Sequence, residues 1–325
     1  MHHDSSVSST ANRHGLLLAR SMREAGRSSG LYAAARAGDV QLVRTGAYRI
    51  PDAPDDTRSR SAQDAARYRL LTLAAAAKLT APVFTGYSAI ALAGLPILGP
   101  WPAVVYLLSG GDHGRRRPGV VHVAHRLPVA LTLTDGILVT NLEYSLIQLC
   151  KQASLAAALV AMDAALRGPR VGAGVPMTDI DCVRAEHERL LPYHGSRRAE
   201  AVLTRATALS DGPLETGSRL VIEEAGFPDP ELQHELALPD GRRWLDFYWP
   251  DYDIAAEADG DGKYGSTVAD AASTVIAEKN REDAIRERVR GFTRWGWRDM
   301  WTKRAVRAKL IRAGLPLVRK PSHLF

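Results

Sequence analysis

"RRWLDFYWPDYDIAAEADGDGKYG", residues 242–265, holds two runs rich in apolar and aromatic residues either side of Pro250-Asp251, and closes on Glu257, Asp259 and Asp261. Such runs separated by a Pro-Asp turn predict two antiparallel strands. Side chains alternate along a strand, so Glu257 and Asp259 share one face while Ala256 and Ala258 share the other. Asp246 lies between Leu245 and Phe247, an odd residue for a buried strand interior. Antiparallel pairing through the turn brings it close to Glu257, and carboxylates gathered in this way repel one another until a cation stands between them. A hard divalent ion with oxygen ligands, Mg²⁺ or Mn²⁺, suits that donor set. A calcium loop beginning at Glu257 is the weaker reading, because its twelfth position is Val268, which cannot supply a carboxylate, and its first is Glu in place of Asp.

Upstream of this stretch, "LETGSRLVIEEAG" (214–226) predicts a helix and "ELQHELALP" (231–239) a strand that turns at Asp240-Gly241. Downstream, "VADAASTVIAEKNREDAIRERV" (268–289) predicts a long helix, "GFTRWGWR" (291–298) a fourth strand and "TKRAVRAKLIRAG" (302–314) a closing helix. The resulting order is α-β-β-β-α-β-α. Asp240, Asp251 and Asp261 read as turn residues, and at least two of Trp295, Trp297 and Trp301 as core.

This order, with an acid on the first helix, Asp246 on a strand and Glu-x-Asp-Gly at the end of the next strand, resembles the PD-(D/E)XK restriction-endonuclease-like fold. Within it the resemblance is to relatives of the very-short-patch-repair (Vsr) endonuclease, over about residues 211–314. The resemblance implies a Mg²⁺- or Mn²⁺-dependent phosphodiester hydrolase with Asp246, Glu257 and Glu215 as metal ligands. Asp259 then takes the third catalytic position, and Lys263 stands where the relatives carry a histidine. Lys263, or Lys279 from the following helix, can steer the attacking water or meet developing phosphate charge. Arg281 and Arg286 on the long helix, Arg294 and Arg298 on the last strand, and the closing helix would hold the DNA backbone.

Charge distribution points the same way. The 325-residue chain carries a formal net charge of +6, and twelve of its Lys and Arg fall between Arg286 and Lys320 against Glu287 and Asp299. A basic surface of this kind tracks phosphate, although a charge run is more commonly a solvated face. The two cysteines, Cys150 and Cys182, fit neither a disulfide framework nor a zinc pattern, and a reducing cytoplasm is expected. Residues 79–111 are uncharged but broken by four prolines, so they read as buried globular structure and no membrane association is expected.

At the other end, residues 1–12 form a polar tail expected to be disordered, without a secretion signal. Residues 14–50 read as helix, turn, helix and a hairpin turning at Thr45-Gly46, the order of a winged helix-turn-helix. Seven arginines against Glu24 and Asp39 lie in residues 13–50, with Arg44 and Arg49 on the wing as DNA contacts. The segments "LVRTGAYRI", "TGYSAIALAGLPI" and "GILVTNLEYSLIQLC" resemble the abortive-infection (AbiEi-type) antitoxin family of type IV toxin–antitoxin systems. That resemblance implies DNA-binding regulation and a cognate toxin protein as partner.

The expected architecture is thus multidomain and mixed α/β (α+β). It comprises a winged helix-turn-helix over 13–60, an antitoxin-like middle domain over 61–170, a linker and helices over 171–210, and the endonuclease-like domain over 211–325. The expected function is metal-dependent DNA cleavage. The rival is a non-catalytic antitoxin or transcriptional regulator that binds DNA.

Overall fold

The computed structural model describes residues 11–52, 57–167, 175–238, 241–260, 279 and 282–324. It is a mixed α/β structure, and its chain divides into two compact units: residues 1–95 with 100–149, and residues 96–99 with 150–325.

The first unit opens with β1 (Leu16–Leu18), α1 (Ala19–Glu24), α2 (Ser28–Ala37), β2 (Gln41–Arg44) and β3 (Ala47–Arg49), whose strands form an antiparallel sheet in the order β1-β3-β2. The sequence predicted a helix from residue 14, yet Leu16–Leu18 is a strand. The physical reason lies in its two faces: Leu16 packs with Leu73, Phe84 and Val105, whereas Leu17 packs with Met22, Leu31 and Val40. Consecutive apolar residues buried on opposite sides suit a strand better than an amphipathic helix. There follow α3 (Arg60–Ala76), started by the Ser59 hydroxyl accepting from the Ala62 N–H, and α4 (Tyr87–Leu92). Next come β4 (Val105–Leu108), β5 (Arg115–Arg117), β6 (Val120–Val123), β7 (Leu131–Thr134) and β8 (Ile137–Thr140). Here β4 pairs parallel with β6, β6 antiparallel with β5, and β7 with β8 in a separate hairpin. The apolar segments "AVVYLLS", "GVVHVAHRL" and "GILVTN" supply β4, β6 and β8. Then α5 (Leu142–Gln152) carries the chain across the unit boundary.

The second unit contains α6 (Leu155–Leu166), α7 (Ile180–Leu190), α8 (Ser196–Leu203) and α9 (Pro213–Ala225). By composition α6 belongs with the middle region, but it packs in the second unit, where its buried Asp163 binds Arg219 and Thr216 of α9. Beyond α9 lie β9 (Glu231–Leu238), β10 (Gly241–Trp249), a 3₁₀ turn at Pro250–Tyr252, β11 (Ile254–Ala258), a helical run at 282–286, β12 (Gly291–Trp295), α10 (Trp297–Thr302) and α11 (Arg304–Arg312). The sheet order is β12-β11-β10-β9, with β9, β10 and β11 antiparallel in sequence and β12 parallel to β11. One cluster joins Leu245, Ala255 and Phe292 to Ile285 and Val289. Elsewhere Phe247 stacks on Trp295, whose indole N–H donates to the Ser218 hydroxyl of α9 at 2.8 Å. Gly226, at φ 88°, ends α9, and a Cβ there would lie 2.2 Å from the Arg319 carbonyl, so the turn requires glycine.

Two sequence expectations fail in this region. The last strand ends at Trp295, because Gly296 starts α10, so Arg298 and Trp297 lie on a helix. Of the three tryptophans only Trp295 is buried; Trp301 is 51% exposed and Trp297 half-buried. The helix that interrupts the strand period turns these two rings away from the sheet core.

Candidate functional site

The β9–β10 ladder runs in steady register from Gly241↔Leu238 to Leu245↔His234 and resumes at Phe247↔Leu232, skipping Gln233 and Asp246. At the skipped step Gln233 has φ +52°, a conformation non-glycine residues seldom adopt. The faces of β10 change there as well. Leu245 packs with Tyr248 and Phe292, while Phe247 stacks on Trp295. A regular strand would keep residues 245 and 247 on one face. The register is the same on both sides of the skipped step, so Gln233 and Asp246 stand opposite one another and their side chains meet.

Gln233 Nε2 donates to Glu215 Oε2 at 3.0 Å and to Asp246 Oδ1 at 3.3 Å. The Ala258 N–H donates to Asp246 Oδ2 at 2.8 Å, which ties β10 to the end of β11. Glu215 lies in the first turn of α9 and accepts from the Asp211 N–H at 2.8 Å. Burial, and after it the Asp246 charge, push the Glu215 carboxyl up to about 7, against the hydrogen bonds from Asp211 and Gln233 that favour its charged form.

Glu257 is 4% exposed and stands opposite Arg294 in the parallel β11–β12 pair. The antiparallel register of β10 and β11 ends at Phe247↔Ala256, so Asp246 and Glu257 are the next residues along their strands. Arg294 Nη2 is 4.0 Å from Glu257, forms an ion pair with Asp259, and its Nη1 is 3.0 Å from Glu282.

Glu215 and Asp246 are therefore brought together, with Glu257 one strand further along. Among the described residues no group of three or more His, Cys, Asp or Glu is arranged to hold a metal ion. The two carboxylates that converge on the Gln233 Nε2 are oxygen donors of the kind a hard cation takes, and the Gln233 Oε1 is buried without a hydrogen-bond partner. Lys263, Arg281, Asp240, Asp261 and Val268 lie outside the described residues. Lys279 is exposed, and no contact among the described residues joins it to the carboxylates.

The predicted DNA-contacting arginines have different surroundings. Arg44 donates to the Gly119 carbonyl at 3.1 Å and Arg49 pairs with Asp52 at 2.8 Å, so both are engaged within the first unit. Arg286 pairs with Glu282 and lies 4.9 Å over the Phe292 ring. It lines a cleft of about 310 Å³ with Arg294, Lys309 and Arg312. Arg298 is exposed on α10.

Sequence reading passed over Gln233. The signal was nevertheless present, since equal steps back from the turn between Leu238 and Gly241 set it opposite Asp246.

No family model matches the chain, and no solved structure matches it. Two curated proteins from two strains of Mycobacterium tuberculosis, the uncharacterized proteins MT2308 and Rv2248, are each 32% identical over 159 residues. The match covers 47% of this chain and 54% of each relative, so the chain spans about half the length of the curated relatives it matches.

Proposed function

We propose that the second unit is a PD-(D/E)XK-type, metal-dependent phosphodiester hydrolase acting on DNA, accompanied by an N-terminal winged-helix, antitoxin-like module that binds DNA. The observation that carries this reading is the Glu215–Asp246 pair: two acids from different elements, joined by one neutral amide, with Glu215 pushed up to about 7. A carboxyl held near neutrality beside a second acid is a common signature of a functional site. Support also comes from the order α9, β9, β10, β11, helical run, β12, α11, and from the basic residues beside β12.

In this reading Asp246 and Glu215 hold a Mg²⁺ or Mn²⁺ ion, with Glu257 on the adjoining strand. The ion's chemistry is to acidify a bound water and offset phosphate charge. The protein's own contribution is positional. The Ala258 N–H fixes one Asp246 oxygen, the Asp211 N–H fixes Glu215 at the start of its helix, and the exposed Arg298 offers a contact to the DNA backbone.

One observation favours the non-catalytic regulator. Arg294 is an internal cation beside Glu257 and Asp259, and a guanidinium neutralises carboxylates without any metal. Incubation of supercoiled plasmid with Mn²⁺ or Mg²⁺, against EDTA and Asp246→Ala controls, separates the two readings. Nicked or linear DNA that requires both the metal and Asp246 is expected, with the variant slower by at least about a hundredfold. Plasmid left intact by a wild-type protein that binds DNA with a steep salt dependence would establish the regulator instead.

A further inference from the structure

The residue that joins the two acids belongs to no part of the proposed chemistry, yet the local fold is bent around it. Three features coincide at Gln233: one amide nitrogen donates to carboxylates on two different elements, the backbone is held at φ +52° inside a strand, and the sheet ladder skips the step at this residue. A glutamine that merely filled space in β9 would take ordinary extended angles and a ladder pair. The positive φ costs free energy that its surroundings must offset, and what it yields is the placement of the side chain between Glu215 and Asp246.

We infer that Gln233 is a positioning residue for the carboxylate pair, setting the separation of Glu215 and Asp246 at which they can share one divalent cation. The inference rests on the hydrolase reading. Distances of 3.0 and 3.3 Å from a single nitrogen keep the two accepting oxygens within one amide's reach, although their charges repel. Glutamine serves this role better than lysine or arginine. A cationic side chain would neutralise the pair and compete with a metal, whereas an amide bridges the acids and leaves their charge in place. It also places its Oε1 at the site, buried and without a hydrogen-bond partner. A half-turn of the amide exchanges that oxygen with Nε2, so the same residue can meet a cation with a neutral oxygen.

The test compares the wild-type full chain with Gln233→Gly and Gln233→Glu. Glycine accepts φ +52° without strain, so Gln233→Gly removes the bridge and preserves the backbone; its melting temperature is expected to equal or exceed that of the wild type. Mn²⁺ binding is read directly by electron paramagnetic resonance, and plasmid cleavage is followed against Mn²⁺ concentration. Gln233→Gly is expected to bind Mn²⁺ about tenfold more weakly or worse and to need correspondingly more Mn²⁺ for half-maximal cleavage. At saturating Mn²⁺ its rate should return to within about threefold of the wild type, because positioning can be restored by mass action. Gln233→Glu, which supplies an oxygen but no donor, is expected to bind Mn²⁺ at least as tightly as Gln233→Gly. Unchanged Mn²⁺ affinity in Gln233→Gly, or a lost rate that no Mn²⁺ concentration restores, overturns the inference while leaving the hydrolase reading standing. A wild-type protein that binds no Mn²⁺ and cleaves nothing overturns both.

Discussion

Two acidic sites in the second unit, Asp163 and the Glu215–Asp246 pair, solve the same electrostatic problem in opposite ways. Asp163 is 1% exposed and fully provided for: Arg219 and Thr216 donate to one oxygen at 2.8 Å each, and the Thr207 N–H donates to the other at 2.9 Å. The guanidinium is part of the fold, so the site is closed. Glu215 and Asp246 instead share the neutral Gln233 amide, and each accepts from a backbone N–H, Asp211 for Glu215 and Ala258 for Asp246. A buried acid matched by an internal arginine serves the architecture. Two acids bridged by one neutral amide are the arrangement that the proposed hydrolase reading uses to hold a cation.

The sharpest break between the two is their response to truncation. Asp163→Ala strands Arg219, whose side chain is 16% exposed, and leaves the Thr216 hydroxyl and Thr207 N–H without that partner. Removing one member of a buried pair costs about 3–5 kcal/mol, so denaturant unfolding of Asp163→Ala should show a loss of that order. Asp246→Ala removes a repulsion along with a hydrogen-bond acceptor, and its unfolding midpoint should stay close to that of the wild type. Equal destabilisation by the two substitutions would erase the distinction and make Asp246 another architectural acid.

Proton affinity sharpens the contrast. Burial pushes Asp163 up to about 6 despite Arg219, and burial together with Asp246 pushes Glu215 up to about 7. Each folded value stands above the ordinary carboxyl value, so the folded protein holds those protons more tightly than the unfolded chain. Stability is therefore higher at low pH and falls as pH rises, through about 6 for Asp163 and about 7 for Glu215. On the hydrolase reading a divalent cation would offset charge on Glu215 and leave the arginine-paired Asp163 unaffected. Adding Mn²⁺ should abolish the upper part of this pH dependence, as should Glu215→Gln in its absence, while the lower part persists in both. Melting curves between pH 5 and 8 would check this; a Glu215→Gln profile identical to the wild type would sink the assignment.

The same contrast explains what could be read from the chain. Strand alternation and the Pro250-Asp251 turn predicted the antiparallel pairing of β10 with β11, whose register runs from Trp249↔Ile254 to Phe247↔Ala256, one step short of Asp246 and Glu257. The family resemblance singled out Glu215 on the predicted helix, and it lies in the first turn of α9. The β9–β10 register also sets Gln233 opposite Asp246, but its contact with Glu215 of α9 and its φ of +52° leave no mark on strand alternation. The pairing of Asp163 with Arg219 spans 56 residues, and local pattern carries no signal for so distant a partner. Leu16–Leu18 failed for a related reason: whether three leucines form a strand or a helical turn depends on the two clusters that receive them. Local periodicity thus set the elements that carry the acids, and tertiary contacts decide which side chains meet them.

The smallest expected effect concerns the arginines, which divide along the same line as the acids. Arg44 is committed to the Gly119 carbonyl and Arg49 to Asp52, whereas Arg298 is exposed on α10. An arginine with its own intramolecular acceptor has less to gain from a phosphate than one surrounded by water. Arg298→Ala should leave the melting temperature unchanged, weaken DNA binding uniformly across sequences, and reduce the slope of log affinity against log salt by about one. Arg44→Ala should lower stability through the lost Gly119 contact, by about 1 kcal/mol, with a smaller change in that slope. Fluorescence anisotropy with a labelled duplex at several salt concentrations measures both. If Arg44→Ala changed the slope and Arg298→Ala did not, the DNA path would run over the first unit, and the acids of the second would have to be explained without a duplex held beside them.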